Sequence, residues 1–170
     1  MDVFEAIRVR RSIRKYKSDQ VEKEKLERIL EAGRLSPSAV NKQPWHFIVV
    51  TDSSVRGSLR ASYGQSWFVN APVIVIACAD PHNAWTRRDG EEYWKVDVAI
   101  ALHSMILCAT ELGLGTCWIA AFNEEPAQRI LKIPGEIRIV AMTPLGYPDE
   151  TKAEVPDRKS LKEIVHYEHW

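Results

Sequence analysis

Residues 94–112 set the strongest constraint on this chain. Val98, Ala99, Ile100, Ala101, Leu102, Met105, Ile106, Leu107 and Ala109 leave this helical stretch almost without a polar flank. A helix that is apolar nearly all round has to be buried nearly all round. A chain of 170 residues has a single core to offer and little protein to spare for covering the remaining face. The pattern therefore predicts a homodimer core built around this helix, closed by Gly113 and Gly115.

The other elements fall around it. Pro72–Cys78 is a near-continuous apolar run and predicts a central strand buried on both faces. Phe47–Val50 and Ile137–Leu145 read as two more strands. Helical spacing appears over residues 2–9, where Val3, Phe4, Ile7 and Val9 are expected to face inward, and over 22–35, where Leu26, Ile29, Leu30 and Gly33 share a face. A short helix is expected over 54–62 behind an Asp52 cap, and another over 124–131. Residues 82–93 are polar and aromatic, an exposed excursion. After Pro148 the chain is polar and Pro-marked as far as 161–165, too extended to fold on itself, so it is expected to drape over a partner. With no repeat or linker, the expectation is one α+β domain spanning 1–170.

Charge excludes several partners. Lys plus Arg equals Asp plus Glu at 23 each, so no global field draws the chain to nucleic acid or an anionic membrane. No apolar run approaches the ~18 residues of a membrane span, and the first residues carry no signal region. Cys78, Cys108 and Cys117 show no metal spacing and lie in apolar surroundings, which predicts reduced thiols and a cytoplasmic protein.

Against that neutral background, Arg10-Arg11-Ser12-Ile13-Arg14 packs three guanidiniums and a hydroxyl into five residues. The arginine fork gives the bidentate donors a phosphate needs. In an extended segment Arg10, Ser12 and Arg14 point one way and Arg11 the other. Arg158-Lys159 in the tail would complete the anion site. Neither GxGxxG nor GxxxxGK[ST] occurs, so side chains rather than a glycine loop would hold the anion. The polar Ser36–Trp45 loop would cradle a planar, hydrogen-bonding ligand. His46 and His103 read as structural histidines, the second in the core or an interface. Trp67, Trp85, Tyr93 and Trp94 either line a ring-binding face or pack in the core.

Taken together, Arg10–Tyr16, Ser36–Phe47, Asn70-Ala71-Pro72, Glu111–Ile119, Leu145–Pro148 and Arg158-Lys159 resemble the FMN-dependent nitroreductase superfamily, in the family's order and along essentially the whole chain. The resemblance implies a mixed central sheet flanked by helices. It implies an intertwined homodimer with an exchanged C-terminal segment and two FMN sites at its interface. By position, Arg10, Ser12, Arg158 and Lys159 would hold the phosphate and ribityl chain, with Arg11 in the same motif and Arg14 at the pyrimidine edge. Pro37, Ser38, Ala39 and Asn41 would reach the flavin of the other subunit, with Ala39 standing where many relatives have a serine. Ile119, Ala120 and Ala121 would offer backbone to N5 without the acidic residue of some members, and Gln65 would lie against the pyrimidine ring. The implied activity is ping-pong transfer of electrons from NADH or NADPH to a nitroaromatic, a quinone or a similar small acceptor, with no metal and no catalytic side chain. Reductive dehalogenation, flavin destruction, dehydrogenation of a biosynthetic intermediate, or a non-enzymatic flavin module are the alternatives on the same scaffold.

Overall fold

A computed structural model describes residues 1–153 and 155–170. Four strands, β1 (Trp45–Val50), β2 (Val73–Ala79), β3 (Gly115–Thr116) and β4 (Arg138–Gly146), form one sheet in the order β1-β2-β4-β3. All three ladders are antiparallel, with Trp45 opposite Ala79 and Val73 opposite Leu145. The parallel contact that makes the sheet mixed is the single bridge between Ser12 and Thr116.

Every residue of β2 is buried, as its unbroken apolar run predicts. Successive side chains of a strand point to opposite faces, and here each face has its own helical layer. Val73, Val75, Ala77 and Ala79 pack with Ile29 of α2 (Lys23–Arg34) and with Val98, Leu102 and Met105 of α5 (Trp94–Glu111). Ile74, Ile76 and Cys78 pack on the opposite side. They meet Leu59, Phe68 of α4 (Ser66–Asn70) and Ala127 of α6 (Glu124–Leu131). Asp52 caps the short α3 (Ser53–Ser58), accepting from the Ser54 and Val55 N–H groups at 2.9 Å. A Cβ at Gly33 would come within 2.7 Å of Met105 Sδ, so glycine permits the close approach of α2 to α5. No helix among the described residues is long and apolar enough to cross a membrane.

Two helices are less buried within one chain than their apolar patterns suggest. In α1 (Val3–Val9) the buried residue is Ala6, while Val3, Phe4 and Ile7 are 72%, 76% and 50% exposed. Helix α5 is buried along one side but shows Val96, Ile100 and His103 to solvent. Both helices hold more apolar surface than one chain covers. The tail behaves likewise: α7 (Leu161–Ile164) closes with a Ser160–Glu163 capping box, yet Leu161, Ile164 and Trp170 lie open. Cys78, Cys108 and Cys117 are free thiols. Burial pushes Cys78 up to about 12, which leaves it an inert core residue.

Candidate functional site

The chain leaves α1 at Arg10 and runs extended along the end of the sheet. The Ile13 N–H donates to the Thr116 carbonyl at 2.8 Å. On the other side the segment pairs antiparallel with the residues that follow β4. The Lys17 N–H donates to Tyr147 O, and the Asp149 N–H to Lys15 O, both at 2.9 Å. Side chains complete the seam. Glu150 Oε1 accepts from the Arg14 N–H at 2.5 Å, Lys152 Nζ donates to Ser12 O at 2.9 Å, and Lys15 meets Asp149 at 2.8 Å. The basic segment is thus fixed largely through its backbone, with Arg14 exposed and Arg10 and Arg11 half-buried.

Ile13 is the buried residue of the segment, sitting where a side chain on Gly115 would be. Nearby, a cavity of about 420 Å³ is lined by Ile7, Arg8, Arg10, Arg11, His103, Val155 and Arg158. Among the described residues no carboxylate lines it. Arg11 Nη1 is buried there without a hydrogen-bond partner among the described residues. A cationic cavity with a buried, unsatisfied guanidinium nitrogen has the donor set a phosphate monoester requires.

The structure brings Arg10 and Arg158 together across the chain as the sequence implies, and it adds Arg11, which side-chain alternation had turned away. It also adds His103, read from sequence as a core or interface histidine but exposed on α5 with its ring toward the arginines' cavity. The apolar surroundings of His103 in sequence hid this, because the helix is far less buried on that side than its composition suggests. Lys159 does not line the cavity.

Beyond the cavity the Arg14 guanidinium lies 5.9 Å from the Trp67 ring, at the outer reach of a cation–π contact. Gln65, exposed, occupies the N-cap of α4 two residues before that tryptophan. In the segment after β3, the Ile119 N–H donates to Met142 O at 2.9 Å and its carbonyl accepts in return at 3.0 Å. Ile119 is therefore committed to the sheet, and Trp118, Ala120 and Ala121 are exposed on either side of it. Trp94 is 5% exposed and packs in the main core, with Lys95 and Arg138 over its ring, so it is a core residue and not a lining one. Trp85 and Tyr93 meet edge to face at 4.9 Å at the base of a small hairpin bridged by Thr86 and Glu92.

The Pro37–Asn41 stretch forms a tight exposed loop. Val40, Asn41 and Gln43 all sit at positive φ, at 52°, 54° and 50°. Non-glycine residues held there cost on the order of 1–3 kcal/mol each and cluster at functional sites. Ser38 Oγ accepts from the Gln43 N–H, and the buried Asp97 Oδ1 accepts from the Ala39 N–H, both at 2.9 Å.

A profile of the Nitroreductase family matches residues 7–65 and 56–147. A Methanothermobacter thermautotrophicus protein with the provisional name NADH dehydrogenase/NAD(P)H nitroreductase is 36% identical over all of this chain and 88% of its own length. The crystal structure of a nitroreductase family protein from Clostridium difficile 630 superposes with a TM-score of 0.90 at 32% identity, covering 100% of both chains. An FMN-dependent nitroreductase from Clostridium difficile R20291 gives 0.85 at 33% identity over 97% of this chain and 98% of that one. With an α+β sheet of matching architecture and a cationic cavity joining the two ends of the sequence, this chain belongs to the nitroreductase family.

Proposed function

We propose that the protein is an FMN-dependent oxidoreductase that takes electrons from NADH or NADPH and passes them, in a ping-pong cycle, to a small acceptor such as a nitroaromatic or a quinone. The observation that carries this reading is the 420 Å³ cavity in which Arg10, Arg11 and Arg158 converge with no described carboxylate to neutralise them. A riboflavin phosphate matches that donor set, and a relative of 33% identity is named an FMN-dependent nitroreductase.

The flavin, when bound, supplies the hydride and electron transfer chemistry. The chain's residues supply binding, orientation and charge. Arg10, Arg11 and Arg158 hold the phosphate from the cavity wall, with His103 as an additional donor there, and Ser12 and Lys159, which lie outside the cavity lining, serve the ribityl end. Arg14 places a fixed positive charge at the pyrimidine edge, where it favours the more negative, reduced state of the ring system. Gln65 offers an amide to the same edge. Ala120 and Ala121 offer exposed backbone toward N5, the Ile119 amide being spent on Met142. Pro37, Ser38, Ala39 and Asn41 form the wall contributed by the second subunit. Trp85 and Tyr93 of the small hairpin offer aromatic faces on which an acceptor could stack.

The working unit on this reading is a cytoplasmic homodimer whose tails exchange between subunits. The apolar residues left open on α1, α5 and α7 support it, because a second copy gives them cover. An absorption spectrum of the purified protein tests the proposal. It should show a flavin band that bleaches anaerobically with NADH or NADPH and returns when a quinone is added. A colourless protein that gains no band on incubation with FMN would overturn it.

A further inference from the structure

Asp97 has no assigned part in any of this, yet it is the most conspicuous polar residue of the core. It lies in the first turn of α5, 1% exposed, among residues of the main apolar cluster. One carboxylate oxygen accepts from the Ala39 N–H at 2.9 Å, and the other, Oδ2, is buried with no partner among the described residues. Burying a carboxylate is expensive, and an apolar residue there would pack without that penalty. The helix N-terminus offsets part of the cost. What the carboxylate holds is the middle of the strained loop: Ala39 immediately precedes Val40, a β-branched residue at φ 52° and ψ 26°. The loop's other close bonds, Asn41 N–H to Ser38 O at 3.0 Å and Gln43 N–H to Ser38 Oγ at 2.9 Å, are internal and do not tie it to the body of the protein.

We propose that Asp97 is a positioning residue: its buried carboxylate holds the Ser38–Gln43 loop in a left-handed shape that the loop's own residues disfavour, and so sets the wall this loop presents to the flavin. The final clause rests on the function proposed above, and the first does not. Strain at Val40 gives the loop a reason to relax, and the bond to Asp97 opposes it. Removing the carboxylate therefore frees the loop, whereas removing the strain makes the carboxylate dispensable.

Both halves are testable with Asp97→Ala, Asp97→Asn and Val40→Gly, alone and combined, read by backbone amide exchange and by FMN affinity from flavin fluorescence. Asp97→Ala is expected to speed exchange of the 39–43 amides, with the α5 amides unchanged, and to weaken FMN by roughly tenfold or more, the scale of a lost charge-assisted hydrogen bond. Asp97→Asn, which keeps an oxygen for the Ala39 N–H, should fall between. Adding Val40→Gly should return FMN affinity to within a few-fold of wild type, because glycine takes positive φ without strain. Wild-type loop exchange in Asp97→Ala, a rise spread over the whole core, or no rescue by glycine would each overturn the proposal. Should Asp97→Ala not fold, Asp97→Asn with and without Val40→Gly carries the same comparison. Faster loop exchange with unchanged FMN affinity would refute the link to the flavin. A wild-type protein that takes up no FMN refutes the functional reading, while amide exchange still decides whether Asp97 holds the loop.

Discussion

Glu150 reaches across the chain to the backbone of Arg14, and that hydrogen bond, ahead of its pairing with Lys152, holds its carboxyl below the usual carboxylate range. A depressed folded value means that the bond stabilises the fold fully above the unfolded pKa and is lost as pH falls through the lower, folded one. Thermal stability of the apoprotein should therefore decline as the pH drops below about 4.3, the ordinary glutamate value. Glu150→Gln should be less stable at neutral pH and show a shallower acid decline; identical pH profiles for the two proteins would remove the residue from this role. The placement of individual residues was legible in the sequence where a motif carried it, as for Arg10 and Arg158, which line one cavity. It was not where burial decided the matter. Trp94, which the sequence leaves open between a ring-binding face and the core, is core, while His103, read as a core or interface histidine, lines the cationic cavity. Both sit in the same helix, and nothing in its composition distinguishes the side turned to the sheet from the side turned to solvent.

At the scale of elements the decisive contact is the basic segment against β3. A methyl group on Gly115 would lie 2.7 Å from Ile13 Cγ1 and 2.9 Å from its Cβ, so Gly115→Ala forces Ile13 off its seat. Overpacking of this kind costs about 1–3 kcal/mol, and the melting temperature should fall by roughly 3–10 °C. Ile13→Ala removes Cγ1 and leaves only the Cβ contact, so adding it to Gly115→Ala should cost less than the two separate losses combined, a non-additivity that a double-mutant cycle measures. Strictly additive losses would mean that the two residues do not share this contact. The sequence located most elements within a residue or two, including α6 at 124–131, because strand and helix periods are local properties. Pairing is not local. Nothing in Arg10–Tyr16 indicates that its neighbours are Thr116 on one side and Tyr147–Lys152 on the other.

For the molecule as a whole, the open residues Val3, Phe4 and Ile7 of α1 mark the surface where one chain ends its own packing. Phe4→Asp places a charge at the centre of that patch and leaves the chain's internal core untouched. It should convert a dimeric protein to a monomer in light scattering while the far-ultraviolet circular dichroism stays native. A wild-type protein that already scatters as a monomer would sink the dimer. The apolar stretch of residues 94–112 pointed to this association from the start, although the face it leaves uncovered is a stripe of Val96, Ile100 and His103 rather than a full circumference.

The seam between residues 12–17 and 147–152 also fixes an order of events. The lysine that grips Ser12 lies 140 positions further along the chain, and the carboxylate that grips Arg14 lies 136 further. Loop closure over such distances gains nothing until the intervening sheet exists to bring the ends together. During synthesis residues 12 and 14 therefore emerge 140 and 136 positions before the side chains that grip them. Closure of this seam is accordingly a late step of folding. Until it closes, the segment that carries Arg10, Arg11 and Arg14 lacks half of the backbone pairing that gives it its shape.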